Sequence, residues 1–594
     1  MNKKYKNLVE MQQHSCQMHK DRKMYATKGS NGFSWITFRQ FETQVNEFRS
    51  GLATLGVSRE DKIGIIAGNC VEWAVGAYAT YGLGAHYVPM YESQLLKEWI
   101  YILNDSGTKV LLVRNPDIFK KAQTLVDEIE CLQHVVPLFE DAGNLKSYTE
   151  LKKAGKQNPV SAYYPASDET MGLIYTSGTT GNPKGVVLTH ANILTEMDSL
   201  DQASVGDPIT NEDRGLSFLP WGHLMGQIQE VHLLLYYGFS SGLVRDINEI
   251  GEDLSLIRPT IFFSVPRLFN KICDGINQKI ESKGPIIRMI FNKGLEANKS
   301  RFAQKDISLI QKIWAEVANR LIFKKIRMLF GGRLRMSFSG GAALSKDIIE
   351  FLDCLGIPVY EGYGQTETSM AVTMNTPEHR RFGSVGKPLP NARVVLDKSV
   401  DSARDDEGEI IVYGPLLMKE YHNLPDVTKA TIDPDGGLRT GDIGRFDEDG
   451  FLFLTGRIKE IYKMENGKYV SPGPIEEQLK NSPYISQTMV SGTNQLFNVA
   501  LIIPEEEALV NFAKKNSIDT ASSDWKDDPK IYQLFEGEIK KYTEPFKKFE
   551  RPNRFALVWD DWSTDNGFLT PTLKLKRRLI FEKYAKIIEQ LHAV

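Results

Sequence analysis

What the 594 residues lack narrows the field first. Cysteine is scarce: five residues, at 16, 70, 131, 273 and 354, with no C-x-x-C pair among them. That scatter argues against a disulfide framework or a structural zinc site and fits a reducing, cytoplasmic setting. An excess of charge of one sign is also missing. Seventy-two Lys and Arg against 75 Asp and Glu leave −3, so no global attraction to nucleic acid or to an anionic membrane follows. Long hydrophobic runs are missing too. The first 28 residues are polar and charged, without the apolar stretch of a signal peptide. Residues 63–90 come nearest to a membrane span, with Glu72 their only charge. Asn69, Pro89 and several glycines divide them into strand, helix and strand, as in a buried α/β core. His14, Cys16 and His19 lie close enough to ligate a metal. A polar, disordered N-terminus is the alternative, and the favoured one.

What remains is ordinary globular material, 41% hydrophobic and 25% charged with mean hydropathy −0.30, long enough for two or more domains. Thr37-x-x-Gln40 reads as a capping box. Phe38, Phe41, Val45, Phe48, Leu52 and Leu55 then recur at helical spacing, and Gly56 sits at the C-terminal cap. Strands are expected at 63–67, 86–90 and 110–113, with helices at 71–83 and 95–105. Such alternation predicts an α/β fold with parallel sheets covered on both faces.

Residues 175–185 read Y-T-S-G-T-T-G-N-P-K-G between two apolar runs, 171–175 and 186–188. Glycines there let the backbone turn and expose its N–H groups, hydroxyls add donors, and Lys184 adds a positive charge. Together they make a cradle for phosphate oxygens. It is not the common P-loop, because Lys184 follows Pro183 and precedes Gly185. The string resembles the phosphate-binding signature of the acyl-adenylate-forming superfamily, the AMP-binding enzymes that include acyl-CoA synthetases, luciferases and nonribosomal-peptide adenylation domains. Further motifs follow in that family's order across residues 33–583.

The resemblance implies a role for each motif. Thr176, Ser177, Gly178, Thr179, Thr180, Gly181 and Lys184 would hold ATP phosphates. Trp221 and His223 would border the acid pocket, a core histidine being the plain alternative. Gly341 and Ala342, after a strand, would let the backbone approach adenine. In Y-E-G-Y-G-Q-T-E-T, residues 360–368, Glu361, Gly362, Tyr363, Gly364 and Thr366 would belong to the nucleotide site. Tyr363 would offer a ring face for stacking, and Glu367 a hard oxygen for Mg²⁺. Asp442 would accept the ribose hydroxyls, and Arg457 would bind ribose or phosphate. Lys459 would be the hinge, and Asn466, Gly467 and Lys468 would line the thiol tunnel. In T-P-T-L-K-L-K-R, residues 570–577, Lys574 is the expected catalytic lysine and Lys576 the weaker claimant. Leu573 stands where the family usually has glycine. With Lys574, Glu367, Lys184 and Thr176 carry the chemistry.

The implied architecture is a large N-terminal domain (1–456) of stacked α/β sheets plus a β-subdomain, a hinge (457–459) and a small mobile C-terminal α/β domain (460–594). The implied reaction is ATP-dependent activation of a fatty acid to acyl-AMP, then transfer to CoA, with Mg²⁺ as cofactor and ATP and CoA as co-substrates. A helical insertion of mixed charge, about 268–328, resembles long-chain and bubblegum-type acyl-CoA synthetases in position and length; a solvated hairpin is the plain alternative. The function alternatives are a fatty-acyl-AMP ligase loading a carrier protein and a lapsed nucleotide- or acyl-CoA-binding module. A Lys-rich tail, from Lys540 and Lys541 through Lys547 and Lys548 to Arg578, suits CoA phosphates or an anionic membrane, a solvated face being preferred for the 540s. No nucleic acid partner is expected. The protein is expected in the cytoplasm, and long-chain acids partition into membranes, which allows loose peripheral association.

Overall fold

The alternation of strand and helix from residue 62 onward closes into a seven-stranded sheet. Its order is Glu420–Tyr421, Lys184–Thr189, Thr170–Thr176, His86–Met90, Lys62–Ile66, Thr108–Val113 and His134–Pro137. The last five run parallel, and Lys184–Thr189 returns antiparallel beside Thr170–Thr176. This computed structural model describes residues 4–593 apart from 31, 140–145, 177–181, 205, 303–305, 307, 401–405, 522–524 and 571. Apolar residues cover both faces of the sheet, as parallel strands require. Ile63, Ile65, Val110 and Leu112 enter one core cluster, and Ile66, Leu111 and Val113 enter another. The capping box forms, with Thr37 accepting from Gln40 N and the Gln40 side chain accepting from Thr37 N. The helix Phe38–Thr54 then buries Phe38, Phe41, Val45, Phe48 and Leu52.

Two further sheets complete the large lobe. One orders Gly32–Thr37, Lys23–Gly29, Ser240–Leu243 and Arg214–Ser217; the other orders Ile261–Ser264, Met336–Ser339, Val359–Tyr363, Thr373–Met374 and Lys387–Pro388. The β-subdomain is the antiparallel sheet Arg393–Asp397, Gly408–Tyr413, Leu438–Phe446 and Leu452–Arg457. Beyond it, Ile485–Ser491, Asn498–Pro504 and Pro552–Leu557 make a three-stranded sheet. Two clusters drawn entirely from residues past 460 pack on it, so the small lobe has its own core.

Two expectations change. The N-terminus is ordered: Asn7 caps the helix Leu8–Met18, which buries Leu8, Val9, Met11, Gln12, Ser15 and Cys16. His14 there pairs with the Tyr5 hydroxyl at 3.1 Å, and Cys16 takes a contact from Gln12. No metal cluster of His, Cys, Asp and Glu occurs among the described residues. The insertion is helical as expected (Pro266–Glu281, Pro285–Phe302, Leu309–Ala318, Lys324–Leu329), but only its outer side is solvated. Phe269, Cys273, Phe291, Ala318 and Phe323 join a buried cluster. No described helix is long and apolar enough to cross a membrane.

Candidate active site

Strand pairing places Thr176 opposite Lys184. The expected phosphate ligands between them, Ser177, Gly178, Thr179, Thr180 and Gly181, lie outside the described residues. Lys184 Nζ stands 5.0 Å from the centre of the Tyr421 ring, a cation–π distance. Tyr421 comes from the edge strand that pairs with Lys184's own strand, opposite Val186. Its hydroxyl donates to Glu367 Oε1 at 2.8 Å. Burial first and the Glu367 carboxylate second hold the Tyr421 phenol far above its usual range, so it stays a donor. Sequence reasoning missed Tyr421, because a two-residue strand carries no local signal.

Glu367 sits in a single 3-10 turn, Thr366–Thr368. Its Oε2 makes no hydrogen bond among the described residues, while Oε1 takes the Tyr421 bond. Magnesium is commonly held by one or two carboxylates plus substrate phosphates, and one carboxylate oxygen of this kind fits that donor set. Gly364, just before, has no substitute: a Cβ there would lie 1.5 Å from the Met370 carbonyl oxygen.

Asp442 is the most tightly held group. It is 5% exposed and takes three donors. Arg457 Nε reaches Oδ1 at 2.6 Å, while the Tyr363 hydroxyl at 2.8 Å and Gln365 Nε2 at 2.7 Å share Oδ2. Asp442 and Arg457 face each other across adjacent antiparallel strands, which fixes the pair without a long loop. Two expectations are revised here. Arg457, expected on a ligand, has a carboxylate of its own chain. Tyr363, expected to present a ring face, packs that ring with Val372, Val385 and Leu416 and brings its hydroxyl to Asp442. The ring is apolar and borders the β-subdomain core, so burial wins.

Gly341 adopts φ +83° with open space where a Cβ would stand, leaving the Gly341–Ala342 backbone approachable. Glu361 turns inward. Its Oε1 accepts from Leu344 N at 3.0 Å, pinning that loop, and burial pushes its pKa up to about 8. Gly362 continues the strand opposite Met374, and Thr366 is buried beside it.

Trp221 and His223, neighbours in sequence, separate in role. The Trp221 indole is buried against Trp73 and Tyr25 and donates to Glu230 Oε2 at 2.9 Å. It is core rather than pocket wall, because its N–H has a buried carboxyl to satisfy it. His223 caps the helix Leu224–Gln227, its Nδ1 accepting from Met225 N. Burial, with the nearby Lys574 charge second, lowers its pKa to about 4, so the ring is neutral at physiological pH.

Lys574 therefore reaches the large lobe. Its side chain keeps solvent access, yet enclosure by protein is the first cause that lowers its pKa, with the Arg457 charge next. Asp442, Glu367 and Glu460 pull the other way. The lysine loop is tight: Thr570 Oγ1 accepts from Lys574 N, and Leu573 holds φ +61°. That is the left-handed region glycine prefers. Lys576 instead makes an ion pair across the lobes, 3.8 Å from Glu98, and Arg577 binds Glu476 with two nitrogens. Lys459 is exposed in the turn after Leu452–Arg457. Asn466, Gly467 and Lys468 form an exposed hairpin tip on the small lobe, with Gly467 at φ +80°. The structure thus gathers Lys184, Glu367, Asp442, Arg457, His223 and Lys574 around one cleft and leaves the 466–468 tip in solvent.

A family model described as AMP-binding enzyme matches residues 12–422, and one described as AMP-binding enzyme C-terminal domain matches residues 459–593. The chain is 31% identical to a long-chain-fatty-acid–CoA ligase of Mycobacterium tuberculosis, over 94% of this chain and 92% of that one. It is also 31% identical to long-chain-fatty-acid–CoA ligase 6 of Mus musculus, over 96% and 84%. Its fold matches the crystal structure of an anthranilate CoA ligase in complex with anthranoyl-AMP, with TM-score 0.74, 20% identity and coverage of 98% and 97%. A fatty acyl CoA synthetase of Mycobacterium tuberculosis matches with TM-score 0.64, 21% identity and coverage of 99% and 100%.

Proposed function

The chain belongs to the AMP-binding enzyme family, and we infer from that premise and from the cleft how it works as a long-chain fatty acid–CoA ligase. It uses ATP and CoA as co-substrates. In the first half-reaction a carboxylate oxygen of the acid attacks the α-phosphorus of ATP, the bond to the β-phosphate oxygen breaks, and pyrophosphate leaves acyl-AMP behind. In the second, the CoA sulfur attacks the acyl carbonyl carbon, its proton is lost, and AMP departs. No residue has to be a nucleophile, since the acid is one; positioning and charge do the work.

The difficulty is bringing an anion onto a polyanion. Lys184 and Thr176, with the loop between them, would hold phosphate oxygens, and Lys574 would place its ammonium where negative charge develops. Glu367 would hold Mg²⁺, which when bound neutralises phosphate charge. Asp442 would accept the ribose hydroxyls, braced by Arg457, while the Gly341–Ala342 backbone and Gly362 would border adenine. Neutral His223 would close the acid side of the cleft without adding charge.

For the second half-reaction the small domain (460–594) would rotate against the large one (1–456) about residues 457–459, with Lys459 as the pivot. Lys574 would then withdraw, and the exposed 466–468 tip would reach the cleft to line the CoA path. The protein would work in the cytoplasm, loosely associated with membranes, where long-chain acids partition.

The observation that carries this reading is the convergence of Glu367, Asp442 and Arg457 of the large lobe on Lys574 of the small one. Thioester formation over an acid panel from acetate to long saturated chains, plus benzoate, tests it. A maximum among long chains is expected. Pyrophosphate release without thioester would overturn CoA as the acceptor, and preference for short or aryl acids would overturn the long-chain assignment.

A further inference from the structure

The helix His190–Ala203 buries two polar side chains to which the reaction gives no part. It starts directly after the strand Lys184–Thr189, so its place is tied to that of Lys184. Asn192 and Glu196 stand four residues apart on one face of it, both buried. Together they hold the two segments that meet at Glu367. Asn192 Nδ2 donates to the carbonyls of Pro415 and Leu417 at 3.0 and 2.9 Å. The same segment takes Ser369 Oγ on the Leu416 carbonyl at 2.6 Å, and Met418 N donates to the Glu367 carbonyl at 2.8 Å. One helical turn on from Asn192, Glu196 Oε1 accepts from Ala371 N at 3.0 Å.

Between Glu367 and Ala371 the backbone is strained: Ser369 holds φ +57° and Met370 φ +112°. Such residues persist only where their surroundings over-determine them. Here Leu416 ties the first and Glu196 ties the residue after the second. Glu196 is fully buried, and its Oε2 has no hydrogen-bond partner among the described residues. Burial holds its pKa far above the ordinary carboxylate range, so it is a neutral acid. A carboxyl buried with one oxygen unbonded costs stability. What it supplies, and an apolar side chain of the same length could not, is the acceptor for Ala371 N. We infer that Glu196, with Asn192 beside it, is a positioning residue. It fixes the 366–371 turn against the helix that follows Lys184, and so sets Glu367 where a divalent cation on the ATP phosphates can reach it. Metal-binding side chains depend on supporting partners of this kind. The inference rests on the metal role proposed for Glu367 and names the group that acts through it.

Calorimetric titration of ATP into the intact chain tests it, once with Mg²⁺ and once with EDTA, and without any acid so that binding alone is read. Glu196→Met keeps the length of the side chain and removes the acceptor. It should cut the gain in ATP affinity that Mg²⁺ confers by about tenfold or more, and leave metal-free binding unchanged. Glu196→Gln, neutral like the buried acid, can accept from Ala371 N through its amide oxygen and should keep the gain. In a Glu367→Gln background Glu196→Met should add nothing, because both act through one group. ATP binding weakened equally with and without Mg²⁺ would make Glu196 a merely structural residue and overturn the inference. A loss shared by Glu196→Gln, or a full gain kept by Glu196→Met, would overturn it too. Should Glu196→Met fail to fold, Asn192→Ala, which frees the 415–417 segment, carries the same expectation and the same refutations. If the parent gains nothing from Mg²⁺, or Glu367→Gln keeps the whole gain, the metal role of Glu367 fails and this inference with it. A gain lost in Glu367→Gln but kept in Glu196→Met sinks the inference alone.

Discussion

Asp442 offers the sharpest test of the cleft, because its hydrogen bonds can be counted. A carboxylate has about four lone-pair sites. Arg457 uses one on Oδ1, and Tyr363 and Gln365 use two on Oδ2. One site is left, whereas a ribose presenting two hydroxyls needs two. Under the ribose assignment, nucleotide binding would displace one protein donor. Gln365 is the cheapest to release, because its Nε2 also bonds the Thr440 carbonyl at 3.0 Å and keeps a partner. Asp442→Asn preserves the shape, removes the charge and turns one acceptor into a donor. Two charge-assisted bonds worth about 1.5–3 kcal/mol each fall to one neutral bond of about 1 kcal/mol, a loss of roughly 2–5 kcal/mol. The KM for ATP should rise about 30- to 4000-fold in pyrophosphate exchange, with kcat less affected. The lost pair with Arg457, whose side chain is 41% exposed, is screened and adds a smaller cost to stability. Gln365→Ala should leave the KM for ATP unchanged or lower it. An Asp442→Asn enzyme within about threefold of the parent in KM would refute the assignment of Asp442 to the ribose.

Lys574→Ala should lower adenylation about 10²- to 10³-fold and largely spare thioester formation from supplied acyl-AMP; equal loss in both halves would refute the division of labour. Because enclosure and Arg457 lower the Lys574 pKa from 10.5, the reactive ammonium is lost as pH rises through that lowered value. The alkaline fall in exchange should therefore begin below the ordinary lysine range, and Lys574→Arg should remove it. Leu573 holds a left-handed backbone that costs a bulky residue about 1–2 kcal/mol, so Leu573→Gly should retain exchange, whereas Leu573→Val should lose about fivefold. Equal rates for both variants would show that this strain does not position Lys574.

The elements most legible in the sequence were those with one dominant period. The helix Phe38–Thr54 declared itself by an apolar stripe and a capping box, and the strands Lys62–Ile66 and His86–Met90 by short apolar runs with Asn69 between them. The helix Leu8–Met18 did not, because Gln12 and Ser15 occupy two of its buried positions and blunt the stripe. In the cleft, residue types were readable from the motifs, but orientation was not. Trp221 and Tyr363 both turned into the core, where Glu230 and Asp442 satisfy their polar atoms. Tyr421 was invisible for the opposite reason: its place depends on pairing with the distant strand Lys184–Thr189.

The electrostatics of the cleft also suggest why one lysine can serve a two-stage reaction. Lys574 and Arg457 repel, and the carboxylates of Glu367, Asp442 and Glu460 only partly offset this together with the cost of enclosure, since the net effect on Lys574 lowers its pKa. The charged form of Lys574 is therefore disfavoured while the cleft holds protein charges alone. Under the proposed roles, a bound triphosphate would reverse the balance, because its negative charge would stabilise Lys574 and Arg457 together and hold the lobes closed. Departure of pyrophosphate removes most of that charge, and AMP, with one phosphate, returns little. The repulsion would then return at the stage where the proposed rotation withdraws the small lobe, with Lys576 on Glu98 a weak tie 3.8 Å long. Closure and opening would then follow the number of phosphates in the cleft, and no separate trigger is needed.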